Sequence, residues 1–291
     1  MTHILTAIDG AVGTITIDRP QRFNSLDVET ARDLRKAGIQ LARDENVRAV
    51  VLRGTNGVFC SGADLKYIRA GGEGDDLGYL LPVAGSRLPA ETDPTTDNSQ
   101  QTASYGAVFK QILEYIHSTI SEIRRAPKAF IAAVDGIAAA GGFGLAMSCD
   151  LVIASERATF EWAYAKTGLT GAESSTFMLP KLIGLRRAYE LLFLNPRLSA
   201  SQAMEIGLIT MVVPAETFDA GVRRVAQQIA SGPTEALGIA KEMLNEAAGM
   251  DRLDYHLDRE LENLARIANG SNFAEGIEAF FGKRPAQFGA K

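Results

Sequence analysis

VDGIAAAGGFGLAMSCD, residues 134–150, runs from the end of an apolar strand through Asp135-Gly136 into Gly141-Gly142 and an Ala/Gly-rich helix. A helix that starts at Gly141 presents unpaired N–H groups and the positive end of its dipole, an arrangement that favours a negatively charged atom. Taken alone, the same glycines also suit close packing of a helix on its neighbours. A dinucleotide-binding loop is excluded, because counting G-x-G-x-x-G from Gly142 gives Gly144 and then Met147 in the third glycine position, and no Walker A pattern occurs elsewhere.

The flanking sequence repeats the strand-then-helix rhythm. Short β-rich runs at 48–54, 129–134 and 151–155 alternate with helical spacing over Asp27–Arg43 and about 106–125, which predicts an α/β core. A second strand ends in VFCSGADL, Val58 to Leu65, where Ser61-Gly62-Ala63 are small enough for a ligand to approach the backbone; by itself this too reads as a turn. The chain opens with a hairpin, residues 4–8 and 12–17 around Asp9-Gly10. After Pro214 helical patterns dominate, over about 216–231, 233–248 and 251–268, ending in FAEGIEAFFGKRP. No period of 20–50 residues recurs, so solenoids and propellers are not expected.

With 291 residues, 46% hydrophobic and 22% charged, the chain can bury a large core in one main domain. The expected division is a core over 1–200, interrupted by a Gly-, Pro-, Asp- and Thr-rich insertion at about 70–104, and a helical subdomain over 201–291. A net charge of -5 does not advertise a nucleic-acid surface. Cys60 and Cys149 have neither paired nor zinc-site spacing, which fits a reducing cytoplasm, and no stretch reads as a signal peptide or membrane span. His3, His117 and His256 lack ligand-like spacing, so no metal site is expected.

The two Gly-containing segments, in this order and separation, together with RPQRFNSLD (19–27), LPKLIGLRRAYELL (179–192) and AMEIGLITMVVP (203–214), resemble the crotonase (enoyl-CoA hydratase/isomerase) superfamily over nearly the whole chain. The resemblance implies a spiral of ββα units with a helical C-terminal oligomerisation subdomain, assembled as a homo-trimer or hexamer. It implies a coenzyme A thioester as substrate, no separate cofactor, and an oxyanion hole formed by the N–H groups of Ala63 and Gly141. The coenzyme A site maps onto Phe23, Ser25, Leu26, Asp64, Leu65 and Lys66, with Gly142 beside the oxyanion glycine. Phe280 and Lys283 match a tail that reaches the nucleotide bound by a neighbouring subunit. Arg22 and Arg284 add candidate positive charge.

The sequence departs from the family pattern at its acids. The two positions at which hydratases carry water-activating glutamates hold Gly144 and Tyr164, so hydration by the usual pair is not expected. Glu161 reads as a surface charge, because in an extended TFEWAYA run it faces away from Tyr164. Isomerases and benzoyl-CoA dehalogenases of the family carry a carboxylate where Ala172 stands; here the acid is Glu173, one residue later. A one-residue shift at a helix start rotates a side chain by about 100°, so Glu173 reaches the substrate only if this turn is rearranged. Tyr115 and Tyr164 align with pocket residues of the dehalogenases, whereas His117 faces another direction from Tyr115. The leading expectation is an isomerase-type proton shuttle at Glu173. The alternatives are an atypical hydratase or thioester hydrolase, using Glu173 or a loop acid such as Glu73 or Asp75, and a binding protein without turnover.

Overall fold

The structure, a computed structural model, describes residues 3–72 and 104–289. The insertion read at about 70–104 lies outside the described residues except at its edges, as do Glu73 and Asp75.

The hairpin forms as read, β1 (Ile4–Asp9) pairing antiparallel with β2 (Val12–Ile17). From β2 onward each strand lies parallel to the next: β3 (Ala49–Gly54), β5 (Ala129–Val134), β7 (Leu151–Ser155) and β10 (Met211–Val213) complete a six-stranded sheet in the order β1-β2-β3-β5-β7-β10. Alternate residues point to opposite faces, and both faces are apolar. Leu52, Ala132 and Val134 join the main core, while Val51, Ile131 and Ala133 meet Phe218, Val222 and Ala226 of α7 (Phe218–Ala230). Burial on both faces explains why these strands read as unbroken hydrophobic runs.

The short strands that follow form a second sheet, β4 (Val58–Cys60), β6 (Ile137–Ala139), β8 (Thr159–Glu161) and β9 (Leu198–Ser199), in the order β4-β6-β8-β9. Each pass of the chain thus lays one strand in the large sheet and one in the small sheet before a helix, which is the ββα spiral. The segments after β4, β6 and β8 emerge side by side.

Helices close the layers. In α1 (Val28–Arg43) the Asp27 carboxylate accepts the Thr30 N–H at the N-terminus, and Ala31, Leu34 and Leu41 are buried. Its partner α3 (Tyr105–Arg125) buries Val108, Ile112, Ile116 and Ile120, each fully buried aliphatic side chain stabilising the fold by roughly 1.5–3 kcal/mol. The apolar α4 (Gly141–Ser148) is buried throughout, and α5 (Ser175–Leu194) is bent where Gly184 leaves helical geometry. The remaining helices are α2 (Leu65–Arg69), α6 (Ala200–Glu205), α8 (Thr234–Ala247), α9 (Leu253–Ala268) and α10 (Ser271–Phe281). Leu257, Leu264, Phe273 and Ile277 of the last two enter the main core. Among the described residues no helix is long and apolar enough to cross a membrane.

Candidate active site

A cavity of about 630 Å³ opens beside the ends of β4, β6 and β8. Its floor follows from the close approach of two segments. Gly62 has φ +93, and a Cβ there would lie 2.8 Å from the Gly141 nitrogen, so only glycine lets the turns at 61–63 and 140–141 meet. Ala63 bridges Leu26 in a parallel arrangement in which Leu26 donates to the Gly62 carbonyl (2.8 Å) and accepts from the Asp64 N–H (2.8 Å). That pattern leaves the N–H of Ala63 itself directed away from Leu26. Ala140, with φ +47, turns the chain into α4, whose first residue is Gly141. Among the described residues neither the Ala63 nor the Gly141 N–H donates to a protein acceptor.

The RPQRFNSLD segment is anchored to this floor by a buried cation. Arg19 pairs with Asp64 at 2.8 Å and Asp27 at 2.5 Å and donates to the Ser25 carbonyl at 3.0 Å. The other Asp64 oxygen accepts from the N–H groups of Lys66 and Tyr67, capping α2. Asp64 therefore borders the cavity with its carboxylate fully engaged by the protein, and the same network holds Phe23 and Ser25 at the mouth.

Three carboxylates line the cavity, and their partners separate them. Asp64 is bound as above. Glu161 is buried, ion-paired with Lys166 and with Arg197 (3.1 Å), and hydrogen-bonded by Asn195 (3.0 Å). Burial pushes its pKa up, but the two cations and their hydrogen bonds outweigh this and hold it below the usual range. Glu173 has no cationic partner: the Tyr164 hydroxyl donates to its Oε2, and its Oε1 stands where a Cβ on Gly141 would come within 2.7 Å. Burial, with a smaller contribution from the nearby Glu260, raises its pKa to about 8 against the Tyr164 hydrogen bond, which lowers it. Burial and the Glu173 charge in turn push the Tyr164 phenol well up. The adjacent Cys60 thiol is pushed up to about 12 by burial, so it is no nucleophile.

Glu173 gets there because the turn is rearranged. Glu173 and Ser174 both have positive φ, 51° and 61°, immediately before α5. This left-handed pair swings the carboxylate toward Gly141. It also lays the Glu173 backbone against Gly144, where a Cβ would lie 2.4 Å from the Glu173 carbonyl oxygen. The space in which a side chain at 144 would project is occupied by the turn itself.

Several expectations need correction. Glu161 is not a surface charge; the extended run stops at Glu161, since Ala163 is left-handed and Tyr164–Thr167 form a 3-10 turn, so strand alternation does not separate Glu161 from Tyr164, and both border the cavity. Tyr115 is half-buried against the core and does not line the cavity, whereas His117, set aside on direction, accepts the Glu173 N–H at Nε2 (3.2 Å). Gly142 and Leu26 are packed behind the floor, Gly142 against the Cys60 carbonyl, and neither faces the cavity. Arg284 is engaged by Glu275 and is not free for a ligand. Lys283 is exposed and outside the cavity lining, while Phe280, Leu65, Lys66 and Arg22 border it. Sequence reading missed Phe109, Leu169, Leu264 and Phe281, the apolar wall, whose periodicity marks them only as core.

A family model described as enoyl-CoA hydratase/isomerase matches residues 7–83 and 99–291. The chain is similar to 1,2-epoxyphenylacetyl-CoA isomerase of Escherichia coli (strain K12), 32% identical with 100% of both chains covered. It is also similar to 4-chlorobenzoyl coenzyme A dehalogenase-2 of an Arthrobacter species, at 29% identity over 97% of this chain and 91% of the relative. Among solved structures it resembles an enoyl-CoA hydratase from Mycobacterium avium subsp. paratuberculosis K-10, with a TM-score of 0.81, 27% identity and 99% of each chain covered.

Proposed function

The protein belongs to the enoyl-CoA hydratase/isomerase family, and from that premise we propose that it binds an acyl- or enoyl-coenzyme A thioester and moves a proton along its acyl group, with Glu173 as the proton carrier. The observation that supports this most is the environment of Glu173: it is the cavity carboxylate without a cation, standing against Gly141.

The thioester oxygen accepts from the Ala63 and Gly141 N–H groups. Ionised Glu173 removes a proton from the carbon next to the thioester, leaving an enolate whose negative oxygen those two donors stabilise; one such donor contributes about 2.7–4 kcal/mol. For a 3-enoyl thioester the protonated Glu173 then returns the proton to the far end of the conjugated system, the double bond moves into conjugation and the carboxylate is regenerated. No water is consumed and no cofactor besides the thioester is needed. The bound Asp64 and Glu161 and the absence of a carboxylate at Gly144 and Tyr164 argue against a pair of carboxylates holding water.

We assign the coenzyme A portion to the part of the cavity lined by Phe23, Ser25, Leu65 and Lys66, with Arg22, and the acyl group to the apolar wall of Phe109, Leu169, Leu264 and Phe281. We assign the helices beyond residue 201, together with exposed Leu185, Phe193 and Leu194 of α5, to a homo-trimer or dimer of trimers. In it Phe280 and Lys283 are placed to meet a neighbour's nucleotide.

Incubation with 2-enoyl-, 3-enoyl- and aryl-coenzyme A thioesters, followed by mass spectrometry and chromatographic separation of isomers, tests the reading. The expected product has the substrate's mass and a shifted double bond. A product one water heavier, release of free coenzyme A, or binding of every ester without turnover would overturn it.

A further inference from the structure

We propose that His117 is a positioning residue for Glu173: with Glu260 it clamps the left-handed turn at 173–174, so that the acid stands against Gly141 in the cavity. The inference rests on Glu173 being the proton carrier.

Two consecutive non-glycine residues at positive φ are strained and persist only where surrounding structure over-determines them. Here the N–H groups of Glu173, Ser174 and Thr176 are each claimed by a buried side chain from another element, while Ser175 donates to the Ala172 carbonyl (3.0 Å). His117 of α3 accepts from Glu173 (3.2 Å), and Glu260 of α9 accepts from Ser174 (2.8 Å) and Thr176 (3.0 Å).

The imidazole's state suits this task. Because Nε2 accepts, the ring proton lies on Nδ1, which is buried and has no partner among the described residues. Nε2 pairs the buried Glu173 N–H, which a leucine filling the same space would leave without an acceptor. Burial lowers the His117 pKa to about 4 against the raising effect of Glu260 and Asp258, so the acceptor is present throughout the neutral range. The charged or titratable groups facing His117 are Glu260, Asp258 and His256 of α9; those facing Glu173 are Tyr164, Glu260 and Cys60 of β4.

The test compares His117→Leu, His117→Gln and His117→Asn with Glu173→Gln on the substrate that the wild type converts. His117→Leu is expected to lower kcat about 100-fold while KM changes less than about 3-fold, because a displacement of the acid near 1 Å carries a penalty of that order. Its pH–rate limb is expected to fall by about one unit as the released carboxylate gains water. His117→Gln, whose amide oxygen reaches the ε position, should recover most of the rate, and His117→Asn, whose oxygen reaches only the δ position, should not. Should the leucine variant fail to fold, the Gln and Asn pair decides: equal rates for the two overturn the proposal. Wild-type kcat and pH limb in His117→Leu, with Glu173→Gln inactive, overturn the clamp and leave the proton carrier standing. Activity in Glu173→Gln instead overturns the reading on which the clamp rests.

Discussion

Glu173 combines a buried position with a single neutral donor, and both leave marks that can be measured. Its pKa is raised to about 8, so the active ionised form accumulates only as pH rises through that value, and kcat/KM is expected to climb with it. Tyr164 lowers that pKa by donating to the carboxylate. Tyr164→Phe should therefore shift the limb upward, by about half to one unit; an unchanged or lower limb would show that the hydroxyl does not hold the carboxylate. The linkage to stability has the opposite sense from a salt-bridged acid. A folded pKa above the ordinary 4.5 means that the folded state holds the proton more tightly. The stabilisation is complete below the unfolded pKa and is lost as pH rises to about 8, at up to roughly 1.4 kcal/mol per unit. Glu173→Gln should thus gain stability over the wild type on the alkaline side in denaturant titrations; an equal pH dependence of the two would contradict the raised pKa. At this scale the sequence was only half legible. The two glycine-containing segments and the acid at Glu173 could be located from motif spacing, but whether Glu173 turned inward depended on two backbone angles that Glu and Ser do not advertise. The importance of His117 over Tyr115 depended on which side of α3 the turn approached. Two positions along a helix differ by about 200° in direction, so the direction was readable and the location of the partner was not.

The element that places Glu173 is the turn between the 3-10 segment Tyr164–Thr167 and α5. It fills the volume in which a glutamate at 144 would stand, so the two placements of acid exclude each other. Gly144→Glu is accordingly expected to abolish the double-bond shift without creating a hydratase, and to lower stability by about 1–3 kcal/mol through overpacking. Thermal unfolding and product mass check both parts; hydrated product from a variant with wild-type Tm would refute the exclusion. Strands and helices themselves were legible within a few residues, because two-faced burial gives β3, β5 and β7 continuous apolar runs and one-faced burial gives α1 and α3 helical periodicity. The run after β8 was misread as extended because Trp162 and Tyr164 have strand-like composition, while the left-handed Ala163 that breaks it carries no signal.

Among the described residues two sheets and the helices around them enclose the apolar core, and the C-terminal helices α9 and α10 contribute to both that core and the wall of the cavity. That architecture followed from motifs distributed along the chain; the assembly state did not, since exposed apolar side chains become a patch only in three dimensions. Phe193 and Leu194 are 73% and 75% exposed. If they meet another copy, light scattering should give three or six times 31.2 kDa, and Phe193→Asp with Leu194→Asp should lower the mass; a wild-type monomer at micromolar concentration would contradict the assembly. The account as a whole depends on one acid at one place. Its most direct test is the rate of double-bond shift by Glu173→Gln, with thioester affinity measured on the same preparation. A loss of about 10²–10⁴-fold in kcat with affinity preserved is predicted for a positioned acid–base group, and conversion at the wild-type rate would contradict it.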